Sequence, residues 1–234
     1  MTAILGSATA EMAEKIIDAA LPHAAQFLET CEDQTRFDDG LFIAENTNRS
    51  IKLEHLVTKL AAQGHPHPLN NSHSYETAGP TYPYGCHIAE VEIDPATSEI
   101  ELARFTVVDD FGLVINPQLL SGQIHGGIAQ GVGQALFENV VYDDEGQILS
   151  GSFLDYAMPR ADHFPLLDIH MRNTPCKNNI LGIKGSGEAG AIGSPQAVIG
   201  AVCDALGVQH VDIPVTPQKI FNILSNKQFD REAG

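Results

Sequence analysis

Thirteen residues, Leu181-Gly-Ile-Lys-Gly-Ser-Gly-Glu-Ala-Gly-Ala-Ile-Gly193, constrain this chain more than any other stretch. Five of them are glycine, and Lys184 and Glu188 are the only charged side chains. Glycine loses more conformational freedom on folding than any other residue, so such a run makes a poor spacer in an ordered domain. It suits a place where backbone N–H groups approach a ligand closely. Ser194-Pro195 then has the form of an N-cap followed by a first-turn proline. Ala197, Val198, Ala201, Val202, Ala205 and Leu206 recur at helical spacing, and Gly207 stands where a C-terminal cap is expected. The pattern predicts a glycine loop feeding a buried helix whose positive end forms an anion site.

A chain of 234 residues with 43% apolar and 18% charged residues can bury a core. Its formal charge of −17, without a long basic run, argues against nucleic acid or anionic lipid as the main partner. No apolar run approaches the roughly 20 residues that span a bilayer, so no membrane span is expected. Cys31, Cys86, Cys176 and Cys203 are scattered without a Cys-x-x-Cys pair. That spacing fits reduced thiols in a cytoplasmic protein better than a protein-ligated zinc or iron–sulfur cluster.

Apolar spacing predicts a helix over 10–28, kinked or split at Pro22, then a turn and short strand over 37–44. A small helix is expected from Arg49-Ser50 onward. Residues 64–79 read as a linker in which His65 and His67 are plain loop histidines. Ala89, Val91 and Ile93 alternate with Glu90, Glu92 and Asp94, and 100–108 alternates again, so an antiparallel hairpin with one wet face is predicted. A second hairpin is expected over 140–149, a strand over 166–172, a short helix after Pro217 and a frayed polar tail from Asn226. Strands and helices mix without a βαβ beat, which indicates an α+β fold with mixed or antiparallel sheets and packed helices.

The segment 121–138 has a helical apolar stripe despite Gly126, Gly127, Gly131 and Gly133, each of which costs about 1 kcal/mol against alanine in a helix interior. At 3.6 residues per turn Gln123 and Gln130 share nearly one azimuth, with Gly126 and Gly127 between them. Two readings stand equal on spacing alone: a bare backbone patch flanked by amides for a flat polar ligand, or close helix packing through the glycines.

Three blocks then combine: Gly122-Gln-Ile-His-Gly-Gly-Ile-Ala-Gln-Gly131, Gly151-Ser-Phe-Leu-Asp-Tyr-Ala-Met-Pro-Arg160 and Gly182-Ile-Lys-Gly-Ser-Gly-Glu-Ala-Gly190. With Ala89-Glu-Val-Glu-Ile-Asp94 ahead of them, they resemble the molybdenum-binding subunit of the xanthine dehydrogenase and aldehyde oxidase family. The likeness is nearest to the bacterial aerobic carbon monoxide dehydrogenase large-subunit type. It runs from about Tyr82 to Leu224 and more weakly back to the first helix. The resemblance implies one C-terminal molybdopterin-binding domain over 1–234, with 1–80 a less regular lead-in, 81–224 its core and 225–234 a tail.

It further implies a molybdenum cofactor, molybdopterin or its cytosine dinucleotide form, that carries the metal without a direct protein ligand. Glu188 would be the catalytic base, taking up a proton as a water-derived oxygen attacks the substrate carbon. Partial burial beside a negative cofactor would suit that task. Gln123 and Gln130, with Gly126 and Gly127, would face the pterin, and Lys184, Gly185, Ser186 and Gly187 would wrap it with backbone N–H groups. Without the family, Glu188 reads as a helix-start carboxylate; for Lys184 the alternative is a surface cation. Asp155 and Arg160 read as loop-holding residues and His125 as a packing neighbour. The implied subunit is several times longer than this chain, so an upstream half is expected to close the pocket. [2Fe–2S] and FAD are expected on partner subunits, with a small-molecule substrate. The competing expectation is a non-catalytic remnant that acts at most as a binding domain.

Overall fold

The computed structural model of the chain describes residues 2–64 and 69–232, those from 227 on through the backbone alone. The expectation for His65 and His67 lies outside the described residues. Two compact units form, one from Met1–Gly79 with Asn179–Leu181, the other from Pro80–Asn178 with Gly182–Gly234. The change of unit at Gly79/Pro80 falls where the sequence turns from lead-in to the motif-bearing region.

The N-terminal unit pairs α1 (Thr2–Leu28) with a three-stranded antiparallel sheet, β1 (Thr35–Asp38), β2 (Leu41–Ala44) and β3 (Ser50–Lys52), followed by α2 (Leu53–Ala62). Asp39 and Gly40 both have positive φ, the conformation a two-residue hairpin turn requires. Ala20, Ala24 and Leu28 pack on Phe42, Ala44, Ile51, Leu56 and Leu60, so the supposed lead-in has a core of its own. Pro22 does not split α1, because 22 lies on the exposed side of a helix held by its buried alanines. The small helix expected from Ser50 starts at Leu53 instead, since Ser50–Lys52 complete the sheet against β2.

In the C-terminal unit β4 (Tyr84–Ile93) and β5 (Ile100–Asp110) form the long antiparallel hairpin that alternation predicted. The alternation breaks once: register shifts between Glu90 and Val91, leaving Ala103 as an extra residue on β5. This bulge lets Leu102 and Phe105, three positions apart, both enter the core. β6 (Leu167–Arg172) adds in parallel to β5, completing a mixed sheet. α3 (Pro117–Leu136) packs on α4 (Ala189–Leu206), which covers β4, and α5 (Pro217–Glu232) follows. The core joins Phe105 and Val107 of the sheet to Ile124, Ile128 and Val132 of α3, Val198 and Val202 of α4, and Ile220.

Several local expectations change. The segment 140–149 makes one antiparallel bridge, Tyr142 to Ile148, rather than paired strands, because Asp143 Oδ1 accepts from the N–H groups of Glu145 and Gln147 and tightens the turn. The backbone remains helical to Glu232, past the expected start of the tail. α4 starts at Ala189, earlier than Ser194-Pro195 suggested. The Ser194 hydroxyl donates back to Gly190 O at 2.7 Å instead of capping, the i−4 bond open to serine inside a helix. At its other end Gly207 takes the left-handed conformation, φ 60° and ψ 44°, and Val208 N–H reaches Cys203 O at 3.0 Å, the expected glycine cap. By length and composition α4 is apolar enough to cross a membrane, against the expectation of no such span. Val198, Val202 and Leu206 instead face the core of this unit.

Candidate functional site

The face between α3 and the glycine loop is built by two kinds of glycine. Gly127, Gly131 and Gly190 are buried where α3 and α4 cross. A Cβ on Gly190 would lie 2.5 Å from Ile124 O and 2.8 Å from Ile128 N, and one on Gly127 would lie 2.9 Å from Gly190 Cα and Ala191 N. One on Gly131 would overlap the Ser194 hydroxyl. These glycines serve close packing, and Gly127, expected on the ligand face, belongs here: it follows Gly126 by about 100° around the helix and so turns inward. Gly122 and Gly126 differ, being exposed with nothing within 4 Å of a built Cβ. The packing reading therefore holds for the inward glycines, while Gly122 and Gly126 leave bare backbone on the outward face.

The outward face carries Gln123 and Gln130, both exposed. Gln123 Nε2 donates to Gly187 O at 2.8 Å, which ties α3 to the peptide bond preceding Glu188. One amide N–H and the side-chain carbonyl of Gln123 remain for a ligand. Glu188 is exposed and stands at the N-cap of α4 with φ −114° and ψ −1°, and its carboxylate makes no capping hydrogen bond. Glu188 therefore stands at the helix start, as the alternative reading had it, but its carboxylate satisfies none of the free N–H groups there. The partial burial expected for it is not supplied by this chain's own atoms. His125 Nδ1 bonds back to Ser121 O at 2.7 Å and stays on its own helix.

Besides the Gln123 bond to Gly187 O, the loop ahead of Glu188 is held at its root. Lys184 N–H donates to Phe111 O at 2.9 Å and Gly185 N–H to Thr81 O at 2.8 Å, so neither wraps a ligand as expected. Among the described residues the N–H groups of Ser186, Gly187 and Glu188 have no partner, and they lie at the positive end of α4. The Lys184 side chain is no surface cation. It is 8% exposed, 3.0 Å from Asp110 Oδ1 and 4.2 Å from the centre of the Tyr84 ring. A buried ion pair and a cation–π contact hold the loop by its root.

Asp110, which the motifs did not single out, gathers three chain segments. Its Oδ1 accepts from Gly112 N at 2.8 Å, Thr174 N at 3.3 Å and Lys184 Nζ. Burial alone would raise its carboxyl, but hydrogen bonds from Thr174, Gly112, Lys184 and Tyr84 outweigh it and hold Asp110 well below the usual carboxylate range. A group depressed in the folded state stabilises the fold above its unfolded value, about 3.9, and that stabilisation fades as pH falls below it. Acid titration monitored by circular dichroism should therefore show wild-type stability still falling below about pH 4, with Asp110→Asn flatter in that window. Equal slopes would remove Asp110 from the account.

In the middle block the Ser152 hydroxyl donates to Asp155 Oδ2 at 2.7 Å. Arg160 lies 3.2 Å from His163 Nε2 and 3.5 Å from Asp162, so Asp155 and Arg160 both act within their own loop. The Tyr156 hydroxyl donates to Glu138 at 2.6 Å, and that bond pushes the phenol above its ordinary value.

Comparison with known proteins adds a frame. The family model of a molybdopterin cofactor-binding domain matches residues 1–165, and so reaches further toward the N-terminus than the motifs do. The large subunit of nicotine 6-hydroxylase from Paenarthrobacter nicotinovorans is 34% identical over 207 residues, covering 84% of this chain and 25% of the relative. The carbon monoxide dehydrogenase large chain of Hydrogenophaga pseudoflava is 32% identical over 233 residues, covering 95% of this chain and 29% of the relative. A solved Cu,Mo-CO dehydrogenase in its carbon monoxide reduced state superposes with a TM-score of 0.84 at 28% identity, over 96% of this chain and 29% of that one. The chain thus spans between a quarter and three tenths of the length of these relatives.

Proposed function

Because this chain belongs to the molybdopterin cofactor-binding family, we propose that it forms one wall of the cofactor site of a molybdenum hydroxylase-type oxidoreductase, with Glu188 as the general base. The observation that carries this reading is the outward face of α3. Gly122 and Gly126 each weaken the helix by about 1 kcal/mol against alanine, yet no atom of this chain needs the space. Bare backbone between Gln123 and Gln130, beside the free N–H groups of Ser186 and Gly187, fits a flat, amide-rich, anionic group such as molybdopterin or its cytosine dinucleotide form. When bound, that cofactor supplies two-electron oxidation with water as the oxygen source.

The chain's own residues do the rest. Gln123 and Gln130 orient the pterin edge through their amides, and Gly126 lets it lie against the helix. Ser186 and Gly187 donate N–H groups to it. Lys184 acts through Asp110 as the loop's anchor and not as a ligand. Glu188, uncapped and free of competing hydrogen bonds, accepts a proton from the attacking oxygen as the substrate is oxidised. The substrate is an aldehyde, an N-heterocycle, a purine or carbon monoxide. The remaining part of the molybdenum subunit, an iron–sulfur subunit and an FAD subunit complete the enzyme in the cytoplasm. The alternative, a non-catalytic remnant, leaves the two exposed helical glycines without a reason.

Gly126→Ala tests the reading directly. In the chain alone it should raise the unfolding free energy by up to about 1 kcal/mol, since the methyl meets nothing. Co-expressed with the rest of the subunit, the same variant should carry several-fold less molybdenum by metal analysis. Full molybdenum loading would show that this face does not receive the cofactor.

A further inference from the structure

Two consecutive buried aspartates, Asp109 and Asp110, end β5. Successive strand residues point to opposite faces, so the two carboxylates grip different structures. Asp110 holds Lys184 on one face. On the other, Asp109 Oδ1 lies 3.4 Å from His87 Nε2, with side chains 4% and 6% exposed. Asp109 has room because its cross-strand neighbour is Gly85, where any Cβ would overlap the carboxylate. The His87 ring stands edge-on to Phe105 and against the backbone of α4, where a Cβ on Gly193 would come within 2.8 Å of it. His87 Nδ1 and Asp109 Oδ2 are buried without a partner. Two orphaned polar atoms in a core are costly, and the apolar replacement would pack as well. The pair needs a reason beyond stability.

We propose that the two pairs form a clamp that positions Glu188. Asp110–Lys184 fixes the chain four residues before it, and Asp109–His87 fixes α4 at Gly193, five residues after it. Between these points lie Gly185 and Gly187, each held by one hydrogen bond, to Thr81 O and from Gln123, which leaves a glycine-rich backbone with few restraints of its own. A misplacement of about 1 Å at a reacting group lowers rate by about a hundredfold, so anchoring both flanks matters more for turnover than for folding. Asp109, Asp110, His87 and Lys184 are positioning residues under this inference, which rests on Glu188 being the base.

Hydrogen exchange on the full chain reads the clamp without any cofactor. Asp109→Asn and Asp110→Asn keep the shape and the acceptor oxygen, and Gly193→Ala presses a methyl on the His87 ring from the helix side. Asp110→Asn should make the bonded amides of Lys184 and Gly185 exchange about tenfold faster, and Asp109→Asn and Gly193→Ala those of Ala191 and Ile192, while those of 88–107 in the hairpin keep their protection. In the assembled enzyme each should lower turnover at least about tenfold, with KM and molybdenum content unchanged. Unchanged exchange at Lys184, Gly185, Ala191 and Ile192, acceleration spread equally over the hairpin, or loss of molybdenum in place of turnover overturns the clamp. Retained turnover in Glu188→Gln would instead remove the base, a failure distinct from any exchange result.

Discussion

Glu188→Gln in the assembled enzyme lowers turnover by about two to four orders of magnitude while molybdenum content stays at the wild-type level. That range is what a positioned general base contributes to a proton transfer. Glutamine keeps the side chain's length and polarity and removes only the capacity to accept the proton. The backbone is indifferent to the change, because the Glu188 carboxylate caps nothing and neither the Gln123 bond to Gly187 O nor the start of α4 depends on it. A drop in kcat without a matching rise in KM would locate the loss in the reaction step. Surviving turnover would reassign the base, and lost molybdenum would place Glu188 among the groups that hold the cofactor.

Lys184→Met destabilises the chain by about 3–5 kcal/mol, the loss found when one member of a buried ion pair is removed. Methionine fills the volume but leaves the Asp110 charge with the Gly112 and Thr174 N–H groups and Tyr84 and without its cationic partner. Denaturant unfolding at neutral pH measures the loss. The deficit against wild type should shrink as pH falls below about 4, because protonating Asp110 relieves the variant and removes the wild type's advantage. A change under about 1 kcal/mol at neutral pH would mean that the pair is solvated like a surface bridge.

Signals written into short stretches were legible before any coordinates. The β4–β5 hairpin follows from Ala89, Val91 and Ile93 alternating with carboxylates, and the end of α4 follows from Gly207. The glycine helix, with its two glutamines and the loop carrying Glu188, stood out because repeated helical glycine demands a compensating reason. Asp109 and Asp110 carry no such mark, because two acids closing a strand have the pattern of a solvated turn. His87 has the pattern of the first residue of an alternating strand. What could have flagged them is parity: with the bulge at Ala103, residue 109 continues the inward series of Phe105 and Val107. The bulge itself has no sequence mark.

Local pattern by itself determined the α+β class, the hairpin, the stripe of α3 and the identity of the loop that bears the acid. These depend on spacing and on intrinsic backbone preference, which neighbours in sequence settle among themselves. Tertiary structure alone decided which glycines pack and which stay bare, since Gly126 and Gly127 are adjacent and differ only in what lies opposite. It also turned Lys184 inward onto Asp110 and set His87 beneath Gly193. Those outcomes depend on partners far apart in the chain, brought together by burial, and no window of sequence contains both members.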